Sequence, residues 1–429
     1  LVVNDLGVVQ VVCRRSRLQY CTMSVAGPSE LSQAAPPRMP VGALPLAAPA
    51  RALLGLRGLN NLGNTCFMNC ILQIMVHCPL VARFFLGDRH NRFECLACHG
   101  NVESGLDDDA MAAPRRPCLA CEMDILLTRC FSGDTAPYSP HSFLHAMWCS
   151  CDHFAGYEQQ DAHEFWIAVF SGICASLVPR ARSPPLPPGA PDANGARILL
   201  GKAASRDLQA IFSGRLRSEV RCARCGHTST KLEDFHDVSL DLSRMGGDGG
   251  DAGAPDSLDA CLRSFTREER LGEQNWCARC GALQDATKQL SFQRLPHVLC
   301  LHLKRFKQST SSGPKGQQST SSKIDSFVDF PLESLNLLPY TAAALGAPAA
   351  SATSAPLLPR PEHLYDLFGI AIHHGSMQSG HYTAFVRQQA SWYHCDDAMI
   401  QTATAQAVRA CKAYMLFYVR KQVDGVSLP

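Results

Sequence analysis

The sequence lacks an excess of charge of either sign. Of its 429 residues, 40 are Lys or Arg and 38 are Asp or Glu, which leaves a formal net charge of +2. This balance gives no electrostatic reason to expect nucleic acid or an anionic membrane as the main partner. A basic stripe with interleaved aromatic residues, typical of a nucleic-acid-binding zinc ribbon, is also missing. We therefore expect no direct nucleic-acid partner and no membrane partner.

The sequence also lacks the features of a secreted or membrane-spanning chain. Its first 25 residues do not run from a basic start through an apolar stretch to a cleavage site, because Arg14, Arg15 and Arg17 follow the apolar stretch. The longest uncharged stretch, residues 334–359, is interrupted by proline and favours a linker over a bilayer span. The first residue is not Met, so a segment upstream of this sequence is not excluded.

Cysteine, by contrast, is abundant. The chain has 21 cysteines, and an odd number cannot form a framework made only of paired disulfides. Eight of them form four Cys-x-x-Cys pairs: Cys95 and Cys98, Cys118 and Cys121, Cys222 and Cys225, and Cys277 and Cys280. This spacing favours thiolate metal sites in a reducing compartment over secretion.

Composition along the chain predicts one large ordered domain between two tails. Residues 1–55 are rich in Ala, Pro and Ser without periodicity, which predicts a disordered tail. The ordered domain is expected over residues 56–421, with a short tail at 422–429. Segments rich in Pro, Gly or Ser predict surface insertions at about 96–117, 179–205, 244–256, 308–323 and 340–361.

Hydrophobic periodicity predicts a helical N-terminal half and a β-rich C-terminal half. One buried helix is expected from Cys66 to about His77, with Thr65 as its cap, and a second over residues 159–177. Alternating apolar residues predict strands at 287–295, 297–307, 365–374, 381–386 and 414–419. The expected fold class is α+β.

Cys66 stands in the segment GLNNLGNTCFMNCILQ, at the predicted first turn of a helix. A helix N-terminus favours the thiolate, which is the nucleophilic form of cysteine. Asn61 can present its amide to an oxyanion, and Gly63 gives the loop the freedom to turn. The alternative is that Cys66 is one of many buried structural cysteines. The loop and Asn61 favour a nucleophile.

A thiol nucleophile needs a base, and the segment HHGSMQSGHYTAFVRQQASWYHCDDAMI contains one. His381 opens a predicted strand, which would place its imidazole at a cleft. Asp396 and Asp397 follow a second strand, and a hairpin can bring a carboxylate beside the imidazole. The order Cys, His, Asp fits a papain-like arrangement in which the acid fixes the tautomer of the base. The alternative for His381 is a structural or surface histidine.

These segments resemble the signature boxes of the ubiquitin-specific proteases, which are papain-like deubiquitinating enzymes. The Cys66 segment resembles their Cys box, GYEQQDAHEF (156–165) their Gln-Gln-Asp box, LHLKRF (301–306) a core strand, and SGHYTAFVR with WYHCDDAMI their His box. The resemblance implies a papain-like cysteine protease hand fold with a helical thumb, a β palm and zinc-clipped β fingers.

The resemblance also implies roles for individual residues. Cys66 would be the nucleophile and His381 the general base. Asp396 would orient the base, with Asp397 as the close alternative. Asn61 would stabilise the oxyanion together with the Cys66 backbone amide. No catalytic cofactor is implied.

Substrate contacts are implied for four further residues in these boxes: Gln160, Asp161, Glu164 and Gly380. Asp161 and Glu164 are expected on one helix face, where they would contact the basic C-terminal tail of ubiquitin. Without the resemblance, such an acidic pair would be interpreted as a solvated helix face.

Two of the Cys-x-x-Cys pairs share the sequence CARC, and they predict one tetrahedral zinc site of four thiolates: Cys222, Cys225, Cys277 and Cys280. The resemblance places this structural site at the fingertips. A second zinc site is expected from five candidates: His90, Cys95, Cys98, Cys118 and Cys121. A tetrahedral ion takes four ligands, so one of His90, Cys95 and Cys98 is expected to be spare. The prediction is about two structural zinc ions per chain.

Several sequence segments, among them DRH, CLACEM and IFSGRLRSEVRCARC, resemble those of one subgroup, the deubiquitinase of the SAGA transcriptional coactivator. This implies monoubiquitinated histone H2B as substrate, coactivator adaptor subunits as partners, and a nuclear location that does not exclude the cytoplasm. Subgroup members often carry an upstream zinc-finger domain, which we expect to be absent or to precede this sequence. The alternative function is a catalytically silent, zinc-stabilised ubiquitin-binding scaffold.

Overall fold

The computed structural model of the protein describes residues 55–95, 98, 117–178, 193–242, 256–313, 316–346, 358–376, 379–423 and 426–427, together with 2–3 and 9–10. By its internal contacts the chain divides into two units, residues 1–48 and 49–429. In the first unit, β1 (Val2–Val3) pairs antiparallel with β2 (Val9–Gln10). The remainder of the predicted tail, up to residue 54, lies outside the described residues.

In the second unit most of the helices come before the main strands. They are α1 (Cys66–His77), α2 (Pro79–Leu86), α3 (Leu119–Cys130), α4 (His141–Ser150), α5 (Ala162–Leu177), α6 (Ala193–Phe212), α7 (Leu258–Thr266), α8 (Ala342–Leu345) and α9 (Ala405–Arg409). Short 3-10 turns cover Arg92–Glu94, Asp152–Phe154, Leu338–Tyr340 and Pro361–His363. The predicted thumb helices therefore exist, with four more around them in the N-terminal half.

The two predicted helices differ from expectation only at their first turns. Helix α1 begins at Cys66 as predicted, but the Thr65 side chain does not cap it. Thr65 Oγ1 instead accepts a hydrogen bond of 2.8 Å from the Leu62 amide in the preceding loop. Helix α5 begins at Ala162, later than expected, because Asp161 occupies the N-cap position.

The strands of the second unit are β3 (Gly214–Cys222), β4 (Thr228–Phe235), β5 (Val238–Asp241), β6 (Glu269–Cys277), β7 (Ala282–Arg294), β8 (Val298–Lys304), β9 (Phe306–Gly313), β10 (Gly316–Lys323), β11 (Leu335–Asn336), β12 (Leu364–Gly375), β13 (Gly380–Gln388), β14 (Ser391–Asp396), β15 (Met399–Ala403), β16 (Ala413–Arg420), β17 (Gln422–Val423) and β18 (Val426–Ser427). The five predicted strands correspond to β7, β8, β12, β13 and β16. The α+β class is confirmed.

The largest sheet, called the palm here, has the strand order β15-β14-β13-β12-β16-β8-β5, with β11 beside β12. The pairs are antiparallel except for β5 with β8. Strand β8 ends earlier than predicted because Arg305 turns inward. Its guanidinium donates to the carbonyls of Ala413, Ile324 and Ser326, which ties β8 to the start of β16.

A second sheet, called the fingers here, has the strand order β4-β3-β7-β6. Strands β3 and β4 form one hairpin and β6 and β7 form another, and β3 pairs with β7 to join them. The turns of both hairpins lie at the same end of the sheet and carry the two CARC motifs. The sheet topology thus brings together two cysteine pairs that are far apart in sequence.

The palm separates two hydrophobic cores. In β8, Val298 and Cys300 face the core shared with helices α1 to α6, whereas Leu299 and Leu301 face the core shared with α7. This alternation follows from the two-residue period of a strand. Helix α1 comes so close to β12 that a Cβ atom at Gly369 would lie 2.7 Å from a methyl carbon of Ile74. The close packing places the first turn of α1 against the palm.

Several predicted insertions contain regular structure. Helix α6 occupies part of the insertion predicted at 179–205, because an apolar face that includes Leu208 and Phe212 packs into the first core. Strands β9 and β10 form a hairpin within the segment predicted at 308–323. The segment at 340–361 includes α8, and residues 347–357 lie outside the described residues. The segments at 96–117 and 244–256 lie almost wholly outside them.

Among the described residues, no single helix is long and apolar enough to cross a membrane. Helices α1 and α2 reach the required length and apolarity only when taken together, and they meet at a bend of 77°. Most of their apolar residues contribute to the first core.

Candidate active site and metal centres

Cys66 is the first residue of α1, and only 4% of its surface is exposed. Its thiol lies against the backbone amides of Tyr382 in β13, of Phe67 and of Cys66 itself. Burial raises the pKa of the Cys66 thiol, these amides lower it, and the Asp397 carboxylate raises it further; the net change is upward. The preference of the helix N-terminus for a thiolate is therefore outweighed, and the resting sulfur keeps its proton.

His381 and Asp396 are brought together by the pairing of β13 with β14, as the sequence predicts. His381 Nε2 lies 2.7 Å from Asp396 Oδ1, and both side chains are partly exposed. A carboxylate can only accept a hydrogen bond, so Nε2 carries a proton and donates a hydrogen bond to Asp396. In the neutral imidazole, Nδ1 is then the nitrogen with a free lone pair. Tyr382, which touches the Cys66 thiol, is the next residue along β13.

Asp397 connects the end of β14 to the loop before the nucleophile. Its φ of 48° lies in the left-handed region. One of its carboxylate oxygens lies within 4.8 Å of ligand atoms of His381 and Asp396, and both of its oxygens are hydrogen-bonded to other residues. Asp397 Oδ2 accepts from Asn61 Nδ2 at 2.8 Å, and Oδ1 accepts from Asn69 Nδ2 at 2.8 Å. Its carbonyl accepts from the Leu59 amide at 2.8 Å. Asp397 thus contacts the loop and α1, while Asp396 contacts the base.

Asn61, the predicted oxyanion donor, is held in place by its own loop. Its carbonyl oxygen accepts from the amides of Gly63 at 3.0 Å and Thr65 at 3.2 Å. One of its two N–H groups donates to Asp397, and an amide group has a second N–H to donate. The amide is therefore held in a fixed orientation within the loop that leads into Cys66.

The Gln-Gln-Asp box contacts the palm through Gln159, a residue that the sequence did not single out. Gln159 Oε1 accepts a hydrogen bond of 2.9 Å from the amide of Gly380. Gly380 is required here because a Cβ atom would lie 2.0 Å from His373 Nε2. Both glutamines belong to the Gln-Gln-Asp box, so this motif could have indicated Gln159 as well as Gln160. A substrate contact for Gln160 stays a prediction.

Asp161 and Glu164 do not share a helix face as expected. Asp161 precedes α5 and accepts hydrogen bonds from the amides of His163 at 2.7 Å and Glu164 at 3.0 Å. Its other oxygen accepts from the hydroxyl of Tyr414. Glu164 is exposed and lies 3.3 Å from His153 Nε2. Asp161 therefore has hydrogen-bond partners within the fold, and a contact to a basic peptide stays a prediction for Asp161 and Glu164.

The fingertips bring Cys222, Cys225, Cys277 and Cys280 together, as predicted, with all four sulfur atoms within 4.8 Å of one another. The closest pairs are Cys225 with Cys277 at 3.5 Å and Cys222 with Cys280 at 4.0 Å. A tetrahedron of Zn–S bonds of about 2.3 Å places sulfur atoms about 3.8 Å apart. The two turns match in shape, because Gly226 and Gly281 both have positive φ. This donor set fits zinc.

A second cluster joins the segment after α2 to the N-terminus of α3. His90, Cys95, Cys118 and Cys121 place their ligand atoms within 4.8 Å of one another. His90 Nε2 lies 3.2 Å from the Cys121 sulfur, and the Cys95 and Cys118 sulfur atoms are 3.7 Å apart. These donors also fit a tetrahedral zinc ion. Cys98 is outside this set of four, although its sulfur lies 3.6 Å from that of Cys121.

Comparison with known proteins extends these local matches to most of the chain. The family model of the ubiquitin carboxyl-terminal hydrolases matches residues 57–418. Ubiquitin C-terminal hydrolase 22 of Arabidopsis thaliana is 36% identical over 405 residues, which cover 86% of this chain and 65% of that protein. Ubiquitin carboxyl-terminal hydrolase 22 of Homo sapiens is 36% identical over 394 residues, covering 86% and 67%. The chain spans about two thirds of the length of these relatives.

Solved structures give the same match in three dimensions. The SAGA deubiquitinating module Ubp8/Sgf11/Sus1/Sgf73 bound to monoubiquitin has a chain similar to this one with a TM-score of 0.61 and 29% identity, covering 87% of this chain and 71% of that chain. The same module bound to ubiquitin aldehyde gives a TM-score of 0.61 and 28% identity, covering 89% and 72%. The likeness therefore extends over the palm, the fingers and the helices.

Proposed function

The chain belongs to the ubiquitin carboxyl-terminal hydrolase family, a family of cysteine-type deubiquitinases, and we propose that it hydrolyses the isopeptide bond between the ubiquitin C-terminal glycine and a substrate lysine. Cys66 is the nucleophile, His381 the general base and Asp396 the residue that orients it. This role for Asp396 is favoured over Asp397 because Asp396 contacts the imidazole and Asp397 contacts Asn61 and Asn69.

The orientation of His381 is the observation that carries this proposal. Its Nε2 is hydrogen-bonded to Asp396, which leaves Nδ1 as the nitrogen that can take a proton. The Cys66 thiol lies against the backbone of the residue next to His381. The arrangement has the three parts of a nucleophile activated by an oriented base.

The reaction proceeds in two stages. His381 Nδ1 takes the thiol proton, and the Cys66 sulfur attacks the carbonyl carbon of the ubiquitin C-terminal glycine to give a tetrahedral oxyanion. Asn61 and the Cys66 amide donate hydrogen bonds to that oxyanion. The imidazolium then protonates the departing lysine amine, which leaves a thioester on Cys66. In the second stage His381 takes a proton from water, the hydroxide attacks the thioester, and the thiol is restored.

The raised pKa of the Cys66 thiol has a mechanistic consequence. A thiol that keeps its proton in the resting cleft needs the base at the moment of attack, so proton transfer to His381 is part of catalysis. Control by substrate or partner binding is consistent with this arrangement.

The substrate we propose is monoubiquitinated histone H2B, and the setting is a nuclear coactivator module with adaptor subunits. Support comes from relatives alone: the similar solved chain is part of a SAGA module that contains Sgf11, Sus1 and Sgf73 and was captured with monoubiquitin. The chain spans about two thirds of its curated relatives, so the rest of their length is not represented here.

Two structural zinc ions complete the proposal. One would be held by Cys222, Cys225, Cys277 and Cys280 and would clip together the two finger hairpins. The other would join the segment after α2 to α3 through the second cluster. Neither cluster includes Cys66, His381 or Asp396. Zinc would therefore supply rigidity to the ubiquitin-binding shape, and the thiol chemistry would not depend on it directly.

The test is hydrolysis of a fluorogenic amide on the ubiquitin C-terminus, and of monoubiquitinated nucleosomes, by the full chain with and without Sgf11/Sus1/Sgf73-type adaptors. We expect turnover that is lost in Cys66→Ala. Cys149→Ala is the matched control, because that cysteine is exposed and outside both clusters. Ubiquitin binding without turnover, even with adaptors, would favour the silent scaffold. Turnover of the amide but not of the nucleosome would reject the histone substrate alone.

A further inference from the structure

The cluster near α3 has one donor more than a tetrahedral ion can use. His90, Cys95, Cys118 and Cys121 form the mutual set of four. Cys98 is a fifth donor, partly exposed, with its sulfur 3.6 Å from that of Cys121. The fingertip cluster has four cysteines in its mutual set and four in its two motifs. The surplus donor is therefore specific to the cluster near α3.

Two donors are candidates for the same position. Cys95 and Cys118 are 3.7 Å apart, close to the sulfur separation in a zinc tetrahedron of about 3.8 Å. His90 Nε2 and the Cys98 sulfur both lie near Cys121, at 3.2 Å and 3.6 Å. Each distance is close to that expected between two ligands of one zinc ion. The three buried thiols of Cys95, Cys118 and Cys121 are common to either choice.

The chain supports both choices with recognisable local structure. Cys98 completes the sequence C-L-A-C with Cys95, and the same four letters recur from Cys118 to Cys121. Two such knuckles make a complete four-thiolate site. His90 reaches the cluster from the other side of the 3-10 turn Arg92–Glu94, which lies between the two donors in sequence. The turn is held to α3 by a bond of 2.6 Å from Arg92 to Asp124.

We propose that His90 and Cys98 share the fourth coordination position of this site, so that either one completes a zinc site whose fixed ligands are Cys95, Cys118 and Cys121. The inference rests on the proposed structural zinc at this cluster but does not depend on the protease activity. The site holds its ion as three thiolates and one imidazole in one state and as four thiolates in the other.

The exchange changes charge without releasing the ion. Three thiolates and one neutral imidazole give a zinc complex of charge −1, whereas four thiolates give −2. A site with an exchangeable ligand keeps its ion when one donor is protonated or modified. When one of the fixed ligands Cys95, Cys118 and Cys121 is lost, each of the two states has only three ligands left.

The experiment measures zinc per chain in the full-length protein by elemental analysis after dialysis against a mild chelator. We expect the wild type, His90→Ala and Cys98→Ala each to retain two zinc ions. The double variant His90→Ala/Cys98→Ala and the single variant Cys95→Ala should each lose one ion. Cys149→Ala is the matched control for removal of a thiol and should retain two. Circular dichroism identifies a variant that has lost its fold.

Cobalt substitution reports which donor is bound. Replacing imidazole by thiolate around tetrahedral Co²⁺ strengthens the sulfur-to-metal absorption and moves the visible bands to longer wavelength. The fingertip site gives a constant four-thiolate background. We expect this shift in His90→Ala, where Cys98 is the remaining fourth ligand. We expect the opposite shift, towards shorter wavelength, in Cys98→Ala, because the fraction of the sites that used Cys98 then uses His90. Loss of one ion from either single variant would overturn the proposal, as would retention of the ion in His90→Ala without the spectral shift.

The outcome is separable from that of the proposed function. Labelling of Cys66 by a ubiquitin probe is measured on the same preparations. The zinc content and the cobalt spectra alone decide whether His90 and Cys98 share the fourth position, whether or not Cys66 is labelled. The protease proposal fails when labelling is absent from a chain that holds both ions.

Discussion

The cleft and the fingertips both present cysteine sulfur to backbone amides, yet they surround it with different partners. At the fingertips the cysteines shift one another in opposite directions: the Cys280 amide leads the contacts that lower the pKa of Cys277 to about 7, and the Cys225 thiol leads those that raise the pKa of Cys280 to about 12. In the cleft, burial and the Asp397 carboxylate raise the pKa of Cys66 against the amides around it. Four thiols that share one site suit a cation at the fingertips, and a thiol that waits for a base is favoured in the cleft.

The difference shows what separates a structural cysteine from a catalytic one in this chain. The four fingertip sulfur atoms lie within 4.8 Å of one another, and one cation can bind all of them at once. Cys66 faces a strand that carries a histidine with its own carboxylate, and a second carboxylate lies beside them. Protonation of Cys66 thus depends on its neighbours in the palm, whereas the fingertip cysteines depend on a metal.

The largest expected effect comes from removing the base. His381→Ala should lower kcat/KM for a ubiquitin C-terminal amide by about 10²- to 10⁴-fold, because Cys66 then has no group to take its proton. Zinc content should stay at two ions per chain. Steady-state kinetics and elemental analysis of one preparation check both. Activity within tenfold of wild type would contradict the difference between the two sites, because the Cys66 thiol would then ionise without a base.

Removing a fingertip ligand should act on binding instead. Cys277→Ser should lose one zinc ion and raise KM by about tenfold, or about 1.4 kcal/mol of ubiquitin binding, with kcat little changed. The reason is that the fingers carry none of the cleft residues. Substrate titrations give KM and kcat separately, with Cys149→Ser as the control. A fall in kcat at saturating substrate, with KM unchanged, would contradict the division of roles.

Asp397→Asn should favour the thiolate form of Cys66. Asparagine accepts the left-handed backbone of this position and removes the charge that raises the pKa of Cys66. The pH midpoint for labelling of Cys66 by a ubiquitin electrophile should fall, because one of the groups that raise the pKa of this thiol is gone. Asn69→Ala keeps the charge but removes a hydrogen bond, so it should not lower the midpoint. An unchanged or higher midpoint in Asp397→Asn would remove Asp397 from the explanation.

The smallest expected effect concerns Gln159. Gln159→Ala removes the hydrogen bond to the Gly380 amide, and a bond of this kind contributes about 1 kcal/mol, or about fivefold in kcat/KM. Gln159→Glu retains an acceptor at the same place and should restore most of the loss. Parallel kinetics of Gln160→Ala compare the residue that the sequence indicated. Equal losses in both alanine variants and no rescue by glutamate would show that the contact has no positioning role.

Local patterns in the sequence were enough for the first turn of α1, the strand pair that carries His381 and Asp396, and both cysteine clusters. Each depends on a short spacing, such as Cys-x-x-Cys or a hairpin, that constrains geometry strongly. Helix α5 begins three residues later than predicted because Asp161, expected on the helix face, is its N-cap, and the hydroxyl of Tyr414 satisfies its second oxygen only in the fold.

Long-range contacts could not be predicted from the sequence. Asp396 and Asp397 make different contacts because Asp397 has a left-handed backbone and bonds to Asn61 and Asn69, which are distant in the chain. The state of Cys66 depends on how deeply α1 packs against the palm, and a helix N-terminus alone indicates the opposite shift. Gln159 was missed because its partner, Gly380, is 221 residues away.

The most direct test of Cys66 as the nucleophile is covalent labelling with a ubiquitin probe that carries a C-terminal electrophile. We predict one ubiquitin adduct per chain, mapped to Cys66 by peptide mass spectrometry, absent from Cys66→Ala and retained in Cys70→Ala, one helical turn further along α1. An adduct on any other cysteine, or none in a chain that holds both zinc ions and its adaptors, would contradict the assignment.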